Sequence, residues 1–178
     1  MQKASALEAE MPYDVILKSL TPCGLLLLKG DRIAQDRFAE VLAMDIPRIP
    51  NTVTYRNGYS LLWLGPEEWL LIVPESDEDR IACELSYDST DGRSAAIIVS
   101  DHYSVITLQG SETAEVLAQA CGIDLPPQEF SIGQCCRCAF ARTTAIVRPL
   151  DSQCAYDLIV ESSYAQYAEH WLSRAIGA

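Results

Sequence analysis

Three thiols stand within four positions, Cys135-Cys136-Arg137-Cys138. Thiolates bind soft metals and exchange disulfides, so this is the first place to look for chemistry. A structural zinc needs four ligands, usually from two separated pairs. Here no second pair follows: Cys154 stands alone, and neither histidine is near in sequence. On a strand, Cys136 and Cys138 share a face with Phe140, where cysteine behaves as a small hydrophobe. The expectation is packed, reduced thiols with no metal or redox role.

The two histidines offer little more. His102 sits in Asp101-His102-Tyr103, between two predicted strands, and His170 lies on the last predicted helix beside Trp171. A nucleophilic triad would need one of them next to a Ser or Cys and a carboxylate, and the G-x-S-x-G elbow does not occur. Glu67 and Glu68 resemble a paired acid and base. Adjacent strand residues point to opposite faces, however, so a solvated turn is the reading. The nine glycines are scattered, with no G-x-G-x-x-G or G-K-[ST] loop to cradle FAD, NAD or ATP.

These residues belong to a chain of 178 with 25 acidic and 13 basic side chains, a formal charge of -12. That balance disfavours nucleic acid and anionic membranes, which attract basic surfaces. It suits a soluble protein or one with a basic partner. Residues 1–10 contain no apolar signal core, and the run Leu25 to Leu28 is too short to span a bilayer. Seven cysteines, an odd number without disulfide-framework spacing, suggest reduced thiols and a cytoplasmic setting.

The positioning elements follow from the apolar pattern. Residues 1–14 read as a mobile leader. Leu25 to Leu28 reads as a buried strand. Asp31 caps a helix whose face is Phe38, Val41 and Leu42. Thr52 to Arg56 and Tyr59 to Leu64 flank Asn57-Gly58, a strong hairpin signal. A second hairpin turns at Gly65-Pro66 and leads into Trp69 to Val73. Ser76 or Asp77 caps a helix through Leu85, before the polar loop Asp88-Ser89-Thr90-Asp91-Gly92. Ile97 to Val99, Ser104 to Leu108 and Tyr156 to Val160 read as strands. Ser162 or Ser163 caps a last helix with Tyr164, Tyr167, Trp171, Leu172 and Ala175 on one stripe, stopped by Gly177. The aromatics Tyr164, Tyr167 and Trp171 read as core first and as a possible interface second.

The second half repeats the first. Leu108-Gln109-Gly110-Ser111 echoes Leu28-Lys29-Gly30-Asp31. Ala114-Glu115-Val116-Leu117-Ala118 is identical in type to Ala39-Glu40-Val41-Leu42-Ala43. Asp124-Leu125-Pro126 echoes Asp45-Ile46-Pro47, and Tyr156 to Val160 echoes Trp69 to Val73. Leu150-Asp151-Ser152-Gln153 takes the place of the Gly-Pro turn. An ordered series of this kind predicts duplication: a first α+β repeat over 15–92 and a second over 93–178, packed as one unit. Each repeat reads strand, helix, strand, strand and a further helix, giving an α+β fold of mostly antiparallel sheets with helices packed on them.

Leu61 to Leu71, containing Leu64-Gly65-Pro66-Glu67-Glu68-Trp69, carries a family likeness. So do Leu108-Gln109-Gly110, Cys121 to Leu125, Phe130 through Gly133 and Tyr156 to Val160. The chain resembles the gamma subunit of heterotetrameric sarcosine oxidase from about Leu25 to Trp171. The cluster Cys135-Cys136-Arg137-Cys138 is not part of that pattern. The resemblance implies a fold similar to the folate-binding domain of the glycine-cleavage T-protein. It implies a non-catalytic subunit in a complex with a large alpha subunit and beta and delta subunits. It implies no cofactor on this chain, with FAD, FMN, NAD and tetrahydrofolate handled by the complex as it oxidatively demethylates sarcosine to glycine. Two other readings of the same fold are a stand-alone folate or aminomethyl-transfer protein, which would need a carboxylate to bind the pterin with Asp101 and Asp157 as the candidates, and an assembly factor.

Overall fold

The computed structural model describes residues 13–18, 22–86, 94–125, 129–150 and 154–177. Residues 1–12 of the expected leader (1–14), the whole polar loop Asp88 to Gly92, Pro126 and most of the turn before Tyr156 (151–153) lie outside the described residues.

The chain runs β1 (Ile16–Lys18), β2 (Gly24–Gly30), α1 (Arg32–Leu42), β3 (Val53–Arg56), β4 (Tyr59–Gly65), β5 (Glu68–Val73) and α2 (Glu78–Ser86). It continues with β6 (Ser94–Ile98), β7 (Tyr103–Gln109), α3 (Thr113–Ala118), β8 (Cys136–Phe140), β9 (Thr143–Pro149), β10 (Ala155–Glu161) and α4 (Ala165–Ile176). All pairings are antiparallel. One sheet has the order β3-β4-β5-β2-β6 and the other β8-β9-β10-β7-β1. The two orders are the same pattern, with one exchange: β1 precedes β2 in sequence but pairs with β7, while β6 precedes β7 but pairs with β2.

Strand alternation explains the layers. In β2 and β5, Leu26, Leu28, Trp69, Leu71 and Val73 face α1 and α2, meeting Phe38, Leu42, Ile81 and Leu85. The intervening residues Leu25, Leu70 and Ile72 face the second sheet and meet Val105, Ile146 and Ile159. On that sheet Ile106, Leu108, Tyr156, Leu158 and Val160 face α3 and α4. The result is helices, sheet, sheet, helices, because the central strands carry apolar residues on both faces. A single helix layer on one face, the simplest form of the expected α+β fold, would leave one face of each sheet wet.

Local rules fix several boundaries. Asn57 and Gly58 both have positive φ, 51° and 82°, as a two-residue hairpin turn of this hand requires. Asp31 caps α1, its Oδ1 accepting from the amides of Ile33 and Ala34. The other expected caps differ. A 3-10 turn, Glu75–Asp77, precedes α2, and Asp77 instead accepts from the Tyr59 hydroxyl at 2.6 Å. Ser162 and Ser163 lie in the 3-10 turn Ser162–Tyr164 ahead of α4, so Tyr164 sits before the helix and off its stripe. Ser111 does not cap α3; its hydroxyl reaches Asp14. Gly110 is fixed by close approach: a Cβ there would lie 2.0 Å from the Asp14 carbonyl oxygen.

Candidate functional site

The Leu64 to Trp69 hairpin is anchored from both sides. Leu64 is the extra residue of a bulge between the Trp63–Trp69 and Gly65–Glu68 pairs. Pro66 and Glu67 form the two-residue turn, and Glu67 takes φ of 61°, the positive value that follows a Pro in a type II turn. Trp69 is buried against the α1 and α2 layer, and its indole Nε1 donates to the Pro47 carbonyl at 2.8 Å. This bond ties β5 to the connection between α1 and β3. Glu68 differs from the expected turn residue. It opens β5 and pairs with Lys29 of its own sheet at 3.2 Å and with Arg137 of the other sheet at 3.3 Å. The hairpin is a clamp between layers, and only Glu67 is left as a solvated turn acid.

A polar row crosses the second sheet on its inner face. Thr107, Asp157 and Arg148 are register partners on β7, β10 and β9. Asp157 Oδ1 accepts from the Thr107 hydroxyl at 2.7 Å. Its Oδ2 accepts from Arg148 Nε at 3.0 Å and Nη2 at 2.8 Å. Both partners are buried, and Arg148 Nη1 has no hydrogen-bond partner among the described residues. Sequence reasoning passed over Arg148, although a lone arginine in an apolar strand is itself a signal that a buried acid lies opposite. Asp157 therefore has both oxygens committed inside the fold, while Asp101 lies in an exposed turn.

Burial raises the thiols of Cys23, Cys135 and Cys136. Cys135 lies fully buried between the sheets, and its Sγ donates to the Trp63 carbonyl at 3.4 Å. Burial pushes it up to about 12, and burial followed by the charge of Asp157 raises Cys23 to about 11. Cys136 and Cys138 pack on the α3 and α4 side with Phe140, the face expected for them. Contact with Cys138 raises Cys121, while the hydrogen bond from Cys121 lowers Cys138. Among the described residues no three His, Cys, Asp or Glu side chains are grouped to hold a metal ion. His102 packs edge-on against Tyr103, centroids 4.7 Å apart. His170 lies along α4, away in sequence from any of these groups.

On α4, Ala168, Leu172 and Ile176 form the buried face. Trp171 is half-buried and meets Phe140 edge to face with centroids 5.3 Å apart. Tyr164 and Tyr167 are exposed, at 42% and 37%. The expected aromatic stripe is thus split into one packing residue and two surface tyrosines.

The sarcosine oxidase gamma subunit family matches residues 31–177. The chain belongs to that family. It is 29% identical over 139 residues to the sarcosine oxidase subunit gamma of Corynebacterium sp. (strain P-1), covering 78% of this chain and 67% of the relative. It is 27% identical over 120 residues to that of Corynebacterium sp. (strain U-96), covering 67% and 57%. The chain thus spans only about two thirds, or less, of these relatives. In fold it superposes on a chain of the heterotetrameric sarcosine oxidase from Corynebacterium sp. U-96 with a TM-score of 0.85, at 23% identity over 92% of this chain and 84% of that one. The glycine cleavage system aminomethyltransferase T from Bartonella henselae gives a TM-score of 0.66 at 15% identity, covering 91% of this chain and 46% of that one. The α+β fold of folate-binding-domain type expected from the sequence is the one found. Among the described residues no helix is long and apolar enough to cross a membrane.

Proposed function

We propose that this family member is the non-catalytic gamma subunit of a sarcosine-oxidase-type complex. In this reading it stabilises a large alpha subunit, alongside beta and delta subunits, in cytoplasmic oxidative demethylation of sarcosine to glycine with one-carbon transfer to tetrahydrofolate. FAD, FMN and NAD belong to the other subunits. The family match across residues 31–177 carries the reading. The geometry supports it from the other side. The buried carboxylate is spent on Arg148 and Thr107, and burial keeps the Cys23 and Cys135 thiols protonated at neutral pH. The exposed Tyr164 and Tyr167, with half-buried Trp171 on the same helix region, are proposed as one contact area. The chain is further read as two copies of one unit, 15–92 and 93–178, each lending its first strand to the other's sheet.

The test is co-expression of the tagged chain with the genes beside its own. The expected result is a stoichiometric flavin-containing complex with sarcosine-dependent peroxide formation. A tagged chain recovered alone, with the oxidase assembling and turning over without it, would overturn the reading. Calorimetric titration with tetrahydrofolate separates the stand-alone binder: this reading expects no heat from the isolated chain.

A further inference from the structure

Each sheet has two edges, and three of the four are protected. On β3, the amide of Val53 donates to the Gly133 carbonyl and the Asn51 carbonyl accepts from Cys135, so the 133–135 segment covers its first end, and the four-residue strand closes on the charge of Arg56. On β8, Gly122 donates to the Ala139 carbonyl and Ala141 to the Ala120 carbonyl, so the chain leaving α3 covers its last end, and Arg137 charges its middle. β1 is three residues long and carries Lys18. The fourth edge, β6, has the sequence Ser94-Ala95-Ala96-Ile97-Ile98: five residues, uncharged, without proline. Folded proteins blunt open edges with charge, proline, brevity or cover, because an open edge recruits another strand. Among the described residues β6 has none of these, and both Ile97 and Ile98 are exposed, at 50% and 44%.

The register shows which backbone groups are open. The amide of Val99 donates to the Leu25 carbonyl at 2.8 Å, making Val99–Leu25 a hydrogen-bonded pair. Pairs alternate in an antiparallel ladder, so Ile97 and Ala95 also face β2, while Ala96 and Ile98 turn their N–H and C=O groups outward. The β2 end of this arrangement is braced, since the Leu25 amide donates to both Glu78 Oε1 and Ser100 Oγ.

Carboxylates flank the strand at each end. Beside Ser94 and Ala95 a groove of about 350 Å³ is lined by the exposed acid Glu67, by the Glu68–Lys29 ion pair and by Asp31, which caps α1. Beside Ser100 a cleft of about 320 Å³ is lined by Glu75 and Asp101. A second copy of this chain is a poor match. Antiparallel pairing of two β6 strands would set acid-flanked ends against each other, and like charges across an interface are costly.

We infer that β6 is a docking edge on which another subunit of the oxidase complex adds an extended strand, apolar at its centre and with Lys or Arg on both flanks. The strand pairs with the amides and carbonyls of Ala96 and Ile98, covers Ile97 and Ile98, and places its cations in the two acidic clefts. This inference rests on the subunit reading above.

The test uses the co-expressed complex. Amide exchange at single-residue resolution is compared for the isolated chain and the assembled complex. Ala96 and Ile98 are expected to slow at least tenfold on assembly, while Ile97, already bonded to β2, changes little. Ile98→Pro removes an outward N–H without touching the β2 ladder, and Ile97→Lys adds an edge charge. Each is expected to lower recovery of partner subunits at least tenfold, whereas Ile98→Val retains it. The unchanged wild-type exchange at Ala96 and Ile98 in an intact complex would overturn the docking edge and leave the subunit reading standing. Slowing of these amides in the isolated chain with rising concentration would assign the edge to self-association and overturn it too. Failure of the wild-type chain to enter any complex would remove both readings, and that result is separate from the behaviour of the variants.

Discussion

Arg148 grips one oxygen of Asp157 with two nitrogens, at 3.0 and 2.8 Å, across adjacent strands in the buried layer between the sheets. Side-chain exposures of 9% and 6% put the pair beyond effective solvent screening. Removing one partner from such a pair leaves an uncompensated charge, at a cost of about 3–5 kcal/mol, while replacing both with apolar groups of similar volume is often neutral. Asp157→Ala should therefore destabilise the chain by that amount. Arg148→Met with Asp157→Leu should recover most of the loss. Urea denaturation of the isolated chain followed by far-UV circular dichroism checks both. A single mutant as stable as the wild type would mean that the pair is not held as described.

Trp69 joins β5 to the stretch after α1 through one bond, Nε1 to the Pro47 carbonyl. Trp69→Phe keeps an aromatic ring but orphans that carbonyl, so a loss of about 1–3 kcal/mol is expected. Trp69→Ala adds a cavity and should cost about 3–5 kcal/mol. The urea midpoints should rank wild type, then Phe, then Ala. Equal midpoints for Phe and wild type would show that the indole bond contributes nothing.

Much of this fold was legible because its signals are local. Asn57-Gly58 forces its turn through positive φ at two adjacent residues, and Asp31 caps α1 by reaching amides two and three residues on. The strands at Leu25, Trp69 and Tyr156 showed as apolar runs. What sequence missed is non-local. β9 carries Thr143, Thr144 and Arg148 among its apolar residues and shows no clean period, because its inner face is completed by Asp157 from β10. β1 is only three residues, and its pairing with β7 instead of β2 is set by the exchange between halves. Glu68 looked like turn chemistry because its two cations, Lys29 and Arg137, come from distant strands.

Those two cations make Glu68 the charged link between the sheets. The pair geometry is good, but Lys29 and Arg137 are about half exposed, at 53% and 40%. Exposed pairs contribute about 0.2–1 kcal/mol each, so Glu68→Gln should cost about 1 kcal/mol at low salt. At 1 M salt the screening length falls to about 3 Å, and the difference should shrink towards zero. Thermal melts at about 20 mM and about 1 M sodium chloride test this through the interaction of mutation with salt. A salt-independent loss would assign Glu68 a packing role instead.

Cys135 makes alkaline stability a probe of the layer between the sheets. Burial, then the charge of neighbouring Cys136, raises its thiol from the ordinary value of 9.0 to about 12. The folded chain therefore holds a proton that the unfolded chain releases once the pH passes 9. Wherever the folded state binds more protons, stability falls as pH rises. The contribution of Cys135 is full below pH 9 and is lost progressively as pH climbs toward 12. Cys23, raised to about 11, and the raised Tyr55, Tyr59 and Tyr156 act in the same direction. The informative quantity is thus the difference in slope between two proteins. Cys135→Ala should show a shallower loss of urea midpoint between pH 9 and pH 11 than the wild type, with the other groups common to both. Thiol labelling at pH 8 should agree, with exposed Cys83 reacting quickly and Cys135 only on unfolding. Identical slopes, or rapid labelling of Cys135 in the native chain, would place that thiol outside the packed layer.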